Sequence, residues 1–337
     1  MSAFARLLRV ELIRLVRRRA VLVLLLVALV VPVVVGVAIT LDTRPPSAAA
    51  LADAKAQVER DRKDPAYAES LEQCIADPVN FGGIQSTDKA EIERLCTEQT
   101  QPQVDWYLYV NDLDLATEIT QGSGIALVVI LGLLMMVLGT TFTGHDWASG
   151  SVSNQLLFEP RRARVWAAKA IVVTGVALVL SALVLSAYWL GLNAVAASRD
   201  LPSGGAVLLD CLQMGWRGAG VVAAAALCGF ALTMLFRSTV ATLGILFGVA
   251  LVGGIVLAVL GVSGRFDPAL NTLAVVADGA TYYVDAPCPP EQGIDMAGAT
   301  CSEERTLTFA SGAAYTGTAV GGSAVLSLLW FRRRDVP

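Results

Sequence analysis

Six long runs of apolar residues constrain the fold of this chain more than any other feature of its sequence. They fall at about 20–40, 122–144, 165–190, 218–236, 239–262 and 309–331. A run of roughly 18 or more apolar residues is long enough to cross the hydrocarbon core of a bilayer as a helix. Only 16% of the residues are charged, against about a quarter in soluble proteins. The sequence therefore predicts an all-α polytopic membrane protein with six transmembrane helices.

The charges between these runs are distributed asymmetrically. Residues 1–19 carry six arginines and one acid, and 145–169 carry three arginines and one lysine against two acids. By contrast, 42–120 carries sixteen acids against seven bases, and 264–308 carries seven against two. Lys and Arg near the ends of spans mark the cytoplasmic side of a membrane. We therefore expect both termini in the cytoplasm, and 42–120 and 264–308 outside.

The segments around the first and last runs follow from the same charges. Residues 1–19 are predicted to form a cytoplasmic amphipathic helix with arginines on one face, followed by the first transmembrane helix at 20–41. Alanine-rich sequence after that helix is compatible with a signal-peptide cleavage site, but the apolar run is longer than an ordinary signal core. A retained first span is therefore favoured. The second to fifth spans are placed within 121–263, and the sixth span with a basic tail at 309–337.

Four of the six cysteines lie in the two acidic segments. Cys74 and Cys96 belong to 42–120, and Cys288 and Cys301 belong to the segment before the last run. Disulfides persist on the outer side of a membrane. Pairing Cys74 with Cys96 and Cys288 with Cys301 is the simplest of three connectivities. We expect 42–120 to be a mainly helical extracytoplasmic domain held by the first of these disulfides.

The sequence contains no recognisable catalytic or metal-binding pattern. It has no GxxxxGK[ST] phosphate-binding loop, no HExxH, no GxSxG and a single histidine. A proton-coupled carrier would usually place an acid or a histidine in mid-membrane. Here Lys169 and Arg217 lie near span ends, where their long side chains are expected to reach the headgroups. We therefore expect no enzymatic activity, metal or cofactor in this chain, and an energy source in another subunit.

The polar segment between the second and third runs, HDWASGSVSNQLLFEPRRARVWAAK, carries the most informative pattern. An acid is followed after three residues by Gly-Ser, then by leucine, proline, arginine and finally lysine. The matching residues are Asp146, Gly150, Ser151, Leu156, Leu157, Pro160, Arg161, Arg164 and Lys169. With this pattern and its six spans, the chain resembles the permease (transmembrane) subunits of type-2 ABC transporters, the six-span exporters of drugs, polysaccharides and lipids. It departs from them in having Asp146 where Glu is commoner, and three arginines close together after Pro160.

The resemblance implies that 145–164 is a cytoplasmic coupling segment whose short helix docks into a cleft of a separate ATPase subunit. The residues expected to contact that subunit are Asp146, Trp147, Gly150, Ser151, Leu156, Glu159, Pro160, Arg161 and Arg164. It also implies two copies of the ATPase, which would bind ATP and Mg, and a second permease chain that is identical or related. The expected activity is ATP-driven export of a hydrophobic or amphipathic compound across a bacterial plasma membrane, with no nucleic-acid partner.

The physical chemistry of the segment is compatible with that role. Pro160 cannot continue a helix without losing a hydrogen bond, and Gly150 permits a sharp turn. The arginines would pair with acids on a partner or with lipid phosphates, or they would only enforce the topology. An alternative interpretation is a membrane-anchored sensor or assembly scaffold acting through 42–120, although six spans exceed what anchoring needs. An integral-membrane enzyme acting on lipids is a third, disfavoured because the sequence shows no acid–base cluster.

Overall fold

The structure is a computed structural model that describes residues 3–108, 112–260, 263–287 and 300–333. The described residues are predominantly helical, which confirms the all-α fold class. The chain divides into two compact units. The transmembrane unit comprises 1–37 and 114–337, and the inserted unit comprises 38–113.

The elements up to the end of the inserted unit are all helical. They are α1 (Ala3–Val16), α2 (Arg19–Asp42), α3 (Ala48–Asp61), α4 (Pro65–Ala76), α5 (Pro78–Gly82), α6 (Lys89–Thr100) and a 3-10 turn (Val104–Tyr107). The remaining elements are α7 (Leu115–Thr120), α8 (Ser123–Ala148), α9 (Ser151–Phe158), α10 (Arg162–Ser198), α11 (Gly205–Phe236), α12 (Thr239–Val259), α13 (Ser263–Phe266), α14 (Pro268–Val276), β1 (Ala280–Pro287), β2 (Thr300–Leu307) and α15 (Phe309–Arg333).

Six of these elements, counted over the described residues, are long and apolar enough to cross a membrane. They are α2, α8 with α7, α10, α11, α12 and α15. Each coincides with one of the six predicted runs, so the protein is a multi-pass membrane protein. The fourth membrane-spanning helix, α11, begins at Gly205, earlier than the predicted 218. Polar residues such as Asp210 and Gln213 interrupt the apolar run of the sequence but do not interrupt the helix.

The core of the transmembrane unit forms where α11 packs against α8 and α10. Gly139 of α8 lies against the backbone of Ala226, and Gly229 of α11 lies against the backbone of Met136. A side chain at either glycine would overlap the neighbouring carbonyl oxygen, so the two backbones approach closely, as is common between helices in lipid. Gly244 and Gly248, which form a GxxxG spacing in α12, have open space around them instead.

The inserted unit is a small helical unit with its own disulfide. Cys74 of α4 and Cys96 of α6 are bonded, with their Cα atoms 5.7 Å apart, as the sequence predicts. Both cysteines are buried with Ile84. The side chains of Ser47, Asp64, Asp77 and Asp88 accept hydrogen bonds from the first turns of the helices that follow them. The second predicted disulfide involves Cys288, which lies outside the described residues, so that pairing stays a prediction.

The transmembrane unit also contains a β-hairpin that the all-α prediction did not include. β1 pairs with β2 in antiparallel register, with Ala280 opposite Leu307. These two residues pack with Ala274 of α14, so the base of the hairpin is attached to that helix. The sequence TYYV in β1 is rich in β-branched and aromatic residues, a composition typical of strands. The run is too short to stand out beside six apolar helices.

Candidate functional site

The polar segment between α8 and α10 forms a tight turn followed by one short helix, α9. Gly150, directly before α9, has a φ of 67°, a left-handed conformation that side chains with a Cβ disfavour. At the other end of α9, Glu159 adopts an extended conformation and Pro160 follows. Since Pro160 lacks an amide proton, the helix does not continue through it. Gly150 and Pro160 therefore delimit α9.

The C-terminal end of α9 is exposed and partly apolar. The side chains of Leu157 and Phe158 are 80% and 90% exposed. Pro160, Arg161 and Arg164 are exposed beside them. We call these five residues the α9 tip. Burial of a Leu or Phe side chain is worth roughly 1.5–3 kcal/mol. The α9 tip therefore combines apolar groups that gain from being covered with cations that can pair with acids.

The base of α9 is fixed to the rest of the transmembrane unit. Val152 is buried. The amide nitrogen of Gln155 donates a hydrogen bond to Glu11 Oε1 at 2.5 Å. Arg14 of α1 donates in turn to the Gln155 amide oxygen at 3.4 Å. α9 is thus bonded through one side chain to the N-terminal helix, 144 residues earlier in the chain.

Glu11 also belongs to a cluster of four buried or partly buried charged side chains. They come from α1, α8, α10 and the junction between α1 and α2. We call Glu11, Arg18, Asp146 and Lys169 the charge cluster. Lys169 Nζ lies 2.8 Å from Glu11 Oε2 and 2.6 Å from Asp146 Oδ2. Arg18, between α1 and α2, pairs with the other oxygen of Asp146. Two acids and two bases balance, as buried charges require.

The aromatic ring of Phe142 completes the cluster. The Arg18 guanidinium carbon lies 4.7 Å from the ring centroid, and Lys169 Nζ lies 5.1 Å from it. Arg18 also donates a hydrogen bond to the Phe142 carbonyl oxygen. A cation close to an aromatic face is stabilised electrostatically, more so when water is excluded. Phe142 therefore holds both cations against the end of α8.

The charge cluster fixes α1, α8 and α10 relative to one another. Glu11, Asp146 and Lys169 are each at most 1% exposed. Removing one member of a buried ion pair costs roughly 3–5 kcal/mol, because the remaining charge is left uncompensated in a medium of low dielectric constant. Lys169 pairs with both carboxylates, so its removal takes one cationic partner from each of the buried acids Glu11 and Asp146.

The structure places the predicted contact residues in three different environments. Asp146 is buried in the charge cluster. Trp147 is half-buried, with its ring 4.6 Å from the Arg237 guanidinium and edge-on to Phe331. Ser151, Leu156 and Glu159 are half-buried, whereas Gly150 and the predicted members of the α9 tip are exposed. These placements leave the predicted contact role of each residue untested.

The expectation that Lys169 and Arg217 reach the headgroups needs correction for Lys169. Its ammonium group is buried and is held by the carboxylates of Glu11 and Asp146. The energetic reason is that Glu11 and Asp146, once buried, need a cation between them. Arg217 of α11 is partly exposed and pairs with Asp278 at 2.9 Å.

Sequence reasoning missed Glu11, Arg18 and Gln155 as members of the site. Glu11 had a visible signal, since it is the single acid among six arginines in residues 1–19. It also lies at i−4 from Leu15, which is buried on the same face of α1. An acid on the apolar face of an otherwise basic helix predicts a buried cationic partner. Gln155 and Arg18 carried no comparable signal.

Searches of known protein families, of curated proteins and of solved structures found nothing that matches this chain.

Proposed function

We propose that this protein is the membrane-spanning permease subunit of an ATP-driven transporter, with the α9 tip as the docking surface for a separate ATPase subunit. In this proposal two permease chains assemble with two ATPase subunits, which bind ATP and Mg. The cargo is a hydrophobic or amphipathic compound, and the direction is export.

The observation that carries the proposal is the contrast between the base and the end of α9. Gln155 is bonded to a buried acid, whereas Leu157 and Phe158 are almost fully exposed. The flanking helices α8 and α10 are both long enough to span a membrane. A few side chains buried at the centre of an interface commonly supply most of its binding energy.

The hydrogen bonds that link α9 to the charge cluster and join its members provide a path along which a movement of α9 is transmitted to other helices. A displacement of α9 acts on Glu11 through Gln155, and Glu11 is held to Lys169 of α10. Lys169 is held to Asp146 at the end of α8. Because the members of this chain of contacts are packed and paired, we expect α1, α8 and α10 to move together when an ATPase moves α9.

The test is recovery of the ATPase with the full-length protein, purified in mild detergent from its native membrane with nucleotide present. We expect the wild type to recover a subunit with a phosphate-binding loop, and the Leu157→Asp Phe158→Asp variant to lose it. Phe81→Asp is the matched control, because Phe81 is an exposed aromatic residue of the inserted unit. Asp146 is unsuitable for this test, since its replacement disturbs the charge cluster.

Failure of the wild type to recover any ATPase subunit would contradict the proposal. Recovery that is unchanged by the double substitution would contradict the docking role of the α9 tip alone. In that case the ATPase would contact another part of the chain.

A sensor or scaffold acting through the inserted unit is the second candidate, favoured by the compactness of 38–113 and its own disulfide. The disulfide closes a loop with a sequence separation of 22, which corresponds to roughly 3 kcal/mol. If the protein is a sensor or scaffold, the double substitution Cys74→Ser with Cys96→Ser should abolish its sensing or assembly activity. The double substitution Leu157→Asp with Phe158→Asp should leave that activity intact. Under the permease proposal, the α9 tip variant has the larger effect on activity.

A further inference from the structure

A groove in the transmembrane unit lies away from the charge cluster and α9. It is formed by α11, α14 and α15, with a contribution from α8, and has a volume of about 730 Å³. Its lining includes several small residues, among them Gly220, Ala224, Gly317 and Gly321. The added Cβ of an alanine at Gly220, Gly317 or Gly321 would contact nothing within 4 Å. The glycines therefore leave this space open, and no contact between the helices requires them.

One cation lies at the end of the groove nearest the hairpin. Arg217 lines it and pairs with Asp278, which directly follows α14. This ion pair uses one terminal nitrogen of the guanidinium at 2.9 Å. The Nε of Arg217 is buried and has no hydrogen-bond partner among the described residues. The Arg217 side chain as a whole is 23% exposed, and its terminal nitrogens carry donors beyond the one that faces Asp278.

The length of the groove matches one leaflet of a membrane. Along α11 it runs from Trp216 to Cys228, and along α15 from Phe309 to Gly321. At a rise of 1.5 Å per residue these stretches are about 18 Å long. Half of a hydrocarbon core of roughly 30 Å is about 15 Å. The cation therefore lies at one end of an apolar groove about one leaflet deep.

We propose that this groove binds an anionic phospholipid of the leaflet nearest the hairpin. The headgroup phosphate accepts hydrogen bonds from Arg217, and an acyl chain lies along the small residues of α11 and α15. Arginine suits this role because its planar guanidinium presents several donors to a phosphate. The proposal does not depend on the function proposed above, since the groove shares no residue with α9 or the charge cluster.

The observations favour a lipid over a second copy of this chain. A helix of a second copy supplies an anion to Arg217 only if one of its acids faces the groove. A phospholipid supplies both parts, a phosphate for the exposed part of the Arg217 guanidinium and an acyl chain for the apolar lining. Asp278 is 63% exposed, so it competes with the phosphate for Arg217 without blocking the groove.

The test is native mass spectrometry of the full-length protein in detergent, titrated with phosphatidylglycerol and with phosphatidylcholine of the same acyl chains. We expect the wild type to bind phosphatidylglycerol more tightly. Arg217→Gln should weaken that binding roughly tenfold, the value of about one charge-assisted hydrogen bond. Asp278→Asn should tighten it, because the competing carboxylate is removed. Arg265→Gln, a change at a cation outside the groove, is the matched control.

A further substitution tests the apolar lining of the groove without changing any charge. Gly317→Leu fills open space in the groove and should lower binding of both lipids, with Gly244→Leu in α12 as the control. Equal binding of the two lipids by the wild type would overturn the proposal. So would Arg217→Gln and Asp278→Asn variants that fold and bind as the wild type does, since the pair would then be only structural. Gly317→Leu that leaves lipid binding intact but dissociates a dimer would assign the groove to a second copy of the chain.

Discussion

Asp146 and Lys169 of the charge cluster flank the α9 tip in sequence, yet the environments of the two groups are opposite. Asp146 and Lys169 are each 1% exposed and paired with opposite charges. Leu157 and Phe158, between them in sequence, are 80% and 90% exposed. The sequence pattern does not distinguish these two groups of residues, but their burial does. The charge cluster is bonded to α9, and in the proposed function the α9 tip is the surface that a partner covers.

This separation implies that substitutions in one short segment fall into two classes. Changes in the charge cluster should destabilise the transmembrane unit and so affect every activity of the protein. Changes in the α9 tip should leave the unit intact and affect only association. Measuring stability and ATPase recovery on the same variants distinguishes the classes.

The largest effect is expected for Lys169→Met, which removes the cation shared by Glu11 and Asp146. Two buried acids then lack their common partner, and we expect a loss of roughly 3–5 kcal/mol in the free energy of unfolding. Thermal unfolding of the purified protein in detergent, followed by tryptophan fluorescence, measures the change. Arg164→Met is the control, because Arg164 is an exposed cation in the first turns of α10. If both variants are equally stable, the charge cluster does not hold the helices together.

A double-mutant cycle on Glu11 and Lys169 tests whether the two act as a pair. Glu11→Gln alone leaves Lys169 with Asp146, and Lys169→Met alone leaves Glu11 with only the partly exposed Arg14, 3.6 Å away. The double variant should be less destabilised than the sum of the single variants by roughly 0.5–3 kcal/mol. The same thermal measurement on all four proteins gives this coupling free energy. Strict additivity would show that Glu11 is buried for reasons unrelated to Lys169.

The fold could be predicted from the sequence where the signal is local. A run of apolar residues contains its own reason to be a transmembrane helix, and Cys74 and Cys96 lie close enough in sequence for local pairing to be the simplest choice. Gly150 and Pro160 similarly delimit α9 by their own backbone chemistry. These parts of the fold and of the site needed no knowledge of distant contacts.

The charge cluster could not be predicted in the same way, because its pairs join distant residues. Glu11 and Lys169 are 158 positions apart, and Arg18 and Asp146 are 128 apart. Composition shows that arginines are abundant near the first span, but not that Arg18 is the one that turns inward. The choice depends on where the break between α1 and α2 places each side chain. The short hairpin was missed because its residues gave a weaker signal than the helices around it.

An intermediate effect is expected at Gly150, where the chain turns from the charge cluster to α9. Gly150→Val forces a β-branched residue into a left-handed φ, at a cost of roughly 1–3 kcal/mol. No atom lies within 4 Å of an added Cβ there, so the cost comes from the backbone alone. Gly150→Asn is the matched control, because asparagine tolerates this conformation better. Thermal unfolding should rank the glycine above asparagine and asparagine above valine.

The smallest effect on stability is expected at the α9 tip, and it sharpens the comparison most. Leu157→Asp with Phe158→Asp replaces side chains that have few contacts to lose, so the free energy of unfolding should change by less than about 0.5 kcal/mol. ATPase recovery from the same preparation should nevertheless be lost, because the apolar anchors of the interface are gone. A variant that loses stability instead would mean that the tip is buried against this protein or its second copy. The two measurements together decide whether exposure at the end of α9 serves a partner.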